Sequence, residues 1–163
     1  NNEEDSHVIL ERCKEGDFIV GKRTKRAKKK QARIPFTTST LQQEASTKLN
    51  FGARRTMSIA QKLYEGIDLG GQQEGLISYM RTDSTRLSPM FVDDTLKYIE
   101  QTYGKEYKGT IRQKNSANAQ DAHEAIRPTS ILRTPESIKQ YLGRDEYRLY
   151  ALIYARALAS SCC

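Results

Sequence analysis

The chain has 163 residues, of which 37% are hydrophobic and none is Trp. That length fits one ordinary domain, or a small domain with part of another. No stretch approaches the roughly 20 apolar residues that a membrane-spanning helix needs, so no membrane is expected. Net charge is +7, but eight of the 27 basic residues fall in residues 22–33, KRTKRAKKKQAR, a stretch without an acid. The remaining 19 are offset by 20 acids.

Taken in chain order, residues 7–23 read as a β-hairpin. His7-Val8-Ile9-Leu10 and Phe18-Ile19-Val20 are β-rich, and Glu15-Gly16-Asp17 supplies a turn. A lone hairpin is marginal in water, so these strands are expected to belong to a larger sheet. The basic block follows: Lys22, Arg23, Lys25, Arg26, Lys28, Lys29 and Lys30. Such a block neutralises phosphates and gives salt-sensitive, sequence-blind affinity for nucleic acid. A solvated linker is the plainer alternative.

Pro35 ends that stretch, and Thr37-Thr38-Ser39-Thr40 offers helix N-caps. Leu41, Ala45 and Leu49 share one helical face, closed by Asn50-Phe51-Gly52. A second helix near 54–65 carries Met57, Ala60 and Tyr64, widened by Ile59 and Leu63, and Gly66 stops it. Residues 66–75, GIDLGGQQEG, read as a flexible loop with neither dinucleotide nor Walker spacing. Residues 76–82 read as extended. Ser88-Pro89 opens a helix with Val92, Leu96, Ile99 and Tyr103 on one face, ended by Gly104. Residues 105–119 are polar loop, and a short helical turn is expected at 122–126 before Pro128. Thr134-Pro135 caps another helix, and the last begins near Asp145 with Leu149, Leu152, Ile153 and Arg156.

Two stretches carry candidate chemistry. In EGLISYMRTDS, residues 74–84, an extended chain projects Tyr79, Arg81 and Asp83 to one side. A phenol is a poor nucleophile at neutral pH, where it keeps its proton, and a neighbouring cation favours the phenolate. Arg81 could also bind phosphate oxygens in a bidentate manner, with Asp83 orienting it. A buried Tyr beside a surface Arg–Asp pair satisfies the same pattern. In QDAHEAIRPT, residues 120–129, His123 and Arg127 are one helical turn apart. His123 could donate to a phosphate or pass a proton to a leaving sugar oxygen. Glu124 could hold the imidazole or pair with Arg127. The three cysteines, Cys13, Cys162 and Cys163, support neither a zinc site nor a disulfide framework and suit a reducing compartment.

PFTTSTLQQEA (35–45), RRTMSIAQKLYE (54–65), GLISYMRTDS (75–84) and QDAHEAIRPT (120–129) together resemble the signature blocks of the bacterial type IA DNA topoisomerases, in the same order. The resemblance covers residues 35–156 well; the basic run and the DLGGQQ insertion depart from it. It implies a mainly α (α+β) fragment: residues 1–31 a β-strand piece of an arch domain with a basic linker, 32–145 a helical gate domain, and 146–163 a helix returning toward the arch.

It further implies that Tyr79 becomes linked to a 5′ DNA phosphate, that Arg81 contacts the scissile phosphate and that His123 supports cleavage. Relaxation of negatively supercoiled DNA follows without ATP. The magnesium of these enzymes is held by a Toprim domain, which this sequence lacks, so no metal ligands are expected here and the fragment alone is expected to be inactive. The chain starts Asn1-Asn2-Glu3 without Met and reads as a piece of a longer cytoplasmic, nucleoid-associated, monomeric protein whose partners are DNA and its own remaining domains. A non-catalytic DNA-binding module is one alternative. A tyrosine recombinase or type IB-like enzyme is another, although there the tyrosine comes last among the motifs.

Overall fold

The computed structural model describes residues 3–17, 19–26, 32–109 and 123–162. The chain divides into two compact units, Asn1–Lys30 and Gln31–Cys163. Among the described residues it is mostly helical, with one small antiparallel pair of strands.

In the first unit, α1 (Glu3–Glu15) stands where the hairpin was expected. Glu3, Glu4 and Asp5 occupy its first turn and Arg12 and Lys14 its last, so its charges oppose the helix dipole favourably. It buries none of its residues; Val8, Ile9 and Leu10 are all more than half exposed. The hairpin reading relies on a larger sheet for these runs to join. Among the described residues no strand pairs with Val8-Ile9-Leu10, and the local helix satisfies their backbone groups instead, while Ile19 and Val20 lie outside any helix or strand.

In the second unit, α2 (Thr38–Leu49) starts at a capping box. Thr37 accepts the amide of Thr40, whose hydroxyl in turn accepts the Thr37 amide. Asn50 closes it in the left-handed region at φ 59°. Next comes α3 (Ala53–Glu65), whose inward face is Thr56, Ile59, Ala60 and Leu63. The expected stripe is thus rotated, and Tyr64 stays 41% exposed.

The 66–75 loop contains a short hairpin, β1 (Ile67–Asp68) paired with β2 (Gln73–Glu74). Its turn uses Gly70 and Gly71 at φ 91° and 104°, a region open to glycine at little cost. Helix α4 (Pro89–Thr102) has Ser88 as N-cap and Pro89 at its first position; of the face read from the sequence it buries Ile99 and half-buries Val92 and Leu96, leaves Tyr103 exposed, and buries Phe91 and Thr95 besides. A short α5 (Pro135–Ile138) precedes the long α6 (Arg144–Ser160).

Helices α2, α3 and α6 pack on one another around a single apolar core. Phe36, Leu41, Leu63, Leu76, Ile77, Met80, Ile126 and Tyr150 are all but fully buried in it. Full burial of one such side chain contributes about 1.5–3 kcal/mol. Two tyrosines of α6 reach out of this core to fasten the chain after Pro128: Tyr150 donates to the Arg133 carbonyl and Tyr154 to that of Ile131, each at 2.7 Å.

Candidate functional site

Residues 76–84 run extended across the surface of this core. Their anchoring is mostly main chain. Leu76 donates its amide to the Leu63 carbonyl at 2.7 Å, and Ser78 donates to the Arg127 carbonyl at 2.9 Å. The amide of Thr129 returns to the Leu76 carbonyl at 2.9 Å. The Ser78 hydroxyl donates to Ala125 O at 2.7 Å and accepts the Arg127 amide at 3.0 Å.

Further along, α2 takes over. The Thr38 hydroxyl donates to Met80 O at 2.7 Å and accepts the Thr82 amide at 2.8 Å, while the Thr38 amide donates to Thr82 O at 2.9 Å. Burial then alternates with the two-residue period of a strand. Met80, Thr82 and Ser84 face inward, and Tyr79, Arg81 and Asp83 face solvent. Tyr79, Arg81 and Asp83 are thus all exposed, although the chain bends at Ser78, Met80 and Arg81.

Tyr79 is 43% exposed, and its ring meets that of Tyr64 edge to face at 5.3 Å. Arg81, Thr82, Asp83, Thr38, Ser39 and His123 line a cleft of about 430 Å³. Arg81 and His123, remote in sequence, thus open on one space; Tyr79, two residues before Arg81 in the chain, is exposed but does not line this cleft. No hydrogen bond or ion pair links Arg81 to Asp83 among the described residues, so the carboxylate shares the cleft without orienting the guanidinium. The cleft combines a guanidinium, an imidazole and the Ser39 hydroxyl at the N-terminal end of α2, a set suited to phosphate oxygens, whereas the Thr38 hydroxyl proton is already given to Met80 O.

The segment bearing His123 is not the short helix expected. The described residues 123–129 are extended: Ala125 donates to Arg86 O at 2.7 Å and Ile126 to Phe36 O at 2.8 Å, with bridges Phe36–Ile126 and Ile77–Pro128. Pro128 lacks the amide a helix would use and disfavours a helical residue before it, and two flanking chains offer ladder partners instead.

His123 and Arg127 therefore do not share a helical face. Arg127 instead pairs with Glu124 at 2.6 Å, donates to Pro128 O at 3.1 Å and lies 4.6 Å over the Phe91 ring. Of the two roles open to Glu124, the structure displays the pairing with Arg127. Neither residue lines the cleft.

Lys22, Arg23, Lys25 and Arg26 are exposed, outside any helix or strand, in the first unit. Lys28, Lys29 and Lys30 lie outside the described residues. Neither Cys13 nor Cys162 forms a disulfide among the described residues. Among the described residues no group of three or more His, Cys, Asp or Glu side chains could hold a metal ion. Sequence reasoning missed Thr38 and Ser39 as cleft residues. The TTST run signalled helix caps, and nothing local in it announces a partner as distant as residue 82.

A family model described as DNA topoisomerase matches residues 1–162. The DNA topoisomerase 1 of Rickettsia prowazekii is 49% identical over 161 residues, which is 97% of this chain and 21% of that protein. The Rickettsia felis DNA topoisomerase 1 is 48% identical over the same shares. Among solved structures, full-length topoisomerase I from Thermotoga maritima superposes with a TM-score of 0.74 at 45% identity, over 83% of this chain and 21% of that one. The chain spans about a fifth of the length of the curated relatives it matches.

Proposed function

The chain belongs to the DNA topoisomerase family, and on that premise we propose that it is the tyrosine-bearing gate piece of a type IA enzyme. The observation that carries this reading is the cleft itself: Arg81 and His123 converge on it from separate segments, with Tyr79 exposed two residues before Arg81.

The reaction is a transesterification. The Tyr79 phenol loses its proton as its oxygen attacks a DNA phosphorus. A Tyr79 O–P bond forms and the bond from phosphorus to the 3′ oxygen breaks. The departing sugar oxygen takes up a proton and leaves as a 3′-hydroxyl, while the 5′ phosphate stays on Tyr79. One phosphoester replaces another, so the bond energy is kept and reversal needs no ATP. Arg81 binds non-bridging oxygens and stabilises the charge that grows on them in the five-coordinate transition state. His123 supplies the proton to the leaving oxygen or holds a phosphate oxygen. Asp83 adds negative charge at the edge of the cleft and keeps Arg81 among polar neighbours. Glu124 and Arg127 support the site by fixing the His123 segment on α4 through Phe91.

Repeated cleavage, strand passage and religation would relax negatively supercoiled DNA. The exposed basic residues 22–26, with Lys28, Lys29 and Lys30, would add salt-sensitive affinity for the DNA backbone. The described residues do not form a magnesium site, and no step here runs through a metal. The magnesium that type IA enzymes use belongs, in this reading, to a Toprim domain elsewhere in the polypeptide. The chain alone is therefore inactive. Among the described residues no helix is long and apolar enough to cross a membrane. A cytoplasmic, nucleoid-associated monomer is the setting we propose.

Replacing Tyr79 by Phe in the full-length protein tests the assignment. The variant is expected to bind single-stranded DNA like the native protein and to form no covalent adduct. A variant that still cleaves would overturn it. Supercoiled plasmid with magnesium and this chain alone is expected to stay supercoiled; relaxation would refute the inactivity of the piece.

A further inference from the structure

We infer that Thr38 is a positioning residue for the Tyr79–Arg81 row, holding the strand in the one register that turns both side chains outward. The inference rests on the cleavage chemistry proposed above, and it concerns a residue that chemistry does not use.

The geometry is specific. Thr38 is the first residue of α2, and its hydroxyl both donates to Met80 O at 2.7 Å and accepts the Thr82 amide at 2.8 Å. Its own amide donates to Thr82 O at 2.9 Å. The peptide groups on both sides of Arg81 are thus tied to one residue. Burial alternates over residues 79–84, so a slip of one residue there would turn Tyr79 and Arg81 into the core and Met80 out to solvent. The strand between residues 76 and 78 is held by ladder bonds to Leu63, Arg127 and Thr129, but beyond Ser78 that ladder ends. Thr38 supplies the next fixed points.

The Thr38 hydroxyl can do this because a single oxygen donates and accepts at once. Valine has the same shape without either function. It would leave the Thr82 amide and the Met80 carbonyl without their partner in a half-buried place. Because Thr38 opens α2 and Ser39 follows it into the cleft, the same contact sets the distance between the helix end and Arg81.

The test uses the full-length protein with Thr38→Val, Thr38→Ser and Thr38→Ala. A short labelled single strand reports binding by anisotropy and cleavage by single-turnover formation of the covalent adduct. Displacements of about an ångström at a reacting group cost about 10²-fold in rate. Thr38→Val and Thr38→Ala are expected to lose about that much adduct-formation rate with affinity for the strand unchanged, and Thr38→Ser is expected to recover most of it. A purely structural role would lower rate and binding together, in proportion to the folded fraction, and serine would be no better than alanine. Amide exchange at Thr82 gives a readout on the native protein: protection is expected in native and Thr38→Ser proteins and its loss in the other two.

The proposal is overturned if Thr82 exchanges freely in the native protein, or if Thr38→Ala cleaves within about twofold of native. Failure of the cleavage reading is distinct, because then the native protein itself would form no adduct at Tyr79.

Discussion

Residues 76–84 and helix α1 both present side chains to solvent, yet opposite forces shape them. The strand has tertiary partners for its backbone from α2, α3 and the 123–129 segment, and its outward row is the remainder after every second side chain is buried. Helix α1 buries nothing, and its backbone bonds are its own. In the first case distant contacts dictate the conformation and aim the side chains. In the second, local propensity and end charges decide it. A site that must hold a phenol and a guanidinium in fixed relation belongs on the first kind of element.

That contrast can be broken at four points, taken from the largest expected effect downward. Arg81→Ala in the full-length protein is expected to slow adduct formation by about 10²–10³-fold, as for loss of one transition-state donor. Its melting temperature should match the native value, because Arg81 is exposed and its side chain carries no bond to another described residue. Single-turnover cleavage and calorimetry check the two halves.

Leu41→Ala comes next. It empties a fully buried position of α2 behind the strand and should cost about 3 kcal/mol by denaturant titration.

The third point is pH. Burial raises the Tyr150 hydroxyl above its ordinary value, against the opposing charge of Arg133. The folded chain therefore keeps a proton that the unfolded chain gives up above about pH 10. Stability from this source is complete below that pH and falls as pH rises further. Tyr150→Phe should flatten the loss while costing about 1 kcal/mol at neutral pH through its bond to Arg133 O. Thermal melts across pH 8–11 (about the range in which an ordinary phenol begins to titrate) decide it.

The smallest effect is expected in the first unit. Leu10→Gln should change stability by no more than about 0.5 kcal/mol, since that side chain is 53% exposed. A large loss there would mean that α1 has a packing partner.

The same contrast explains what the sequence made legible. Helices α2, α3 and α4 carry their own punctuation: the threonine caps, Gly66 and Ser88-Pro89. The exposure of Tyr79, Arg81 and Asp83 agrees with a period of two. Misreadings arose where a pattern needed an absent or distant partner. Val8-Ile9-Leu10 looks like a strand only if another strand pairs with it. The spacing of His123 and Arg127 suggests a helical face only until Phe36 and Arg86 claim the backbone of that segment. The convergence of His123 with Arg81 came from resemblance, because spacing along the chain carries no such distance. The bonds of Thr38 were invisible for the same reason.

The most direct measurement places a radioactive label at either end of a single strand, incubates each with the full-length protein and magnesium, and denatures the mixture. The account predicts that label from the 3′-terminal piece stays on the protein, joined through its 5′ phosphate to the peptide containing Tyr79, and that label from the 5′-terminal piece is released. Retention of the other label, or attachment to any other residue, would contradict it.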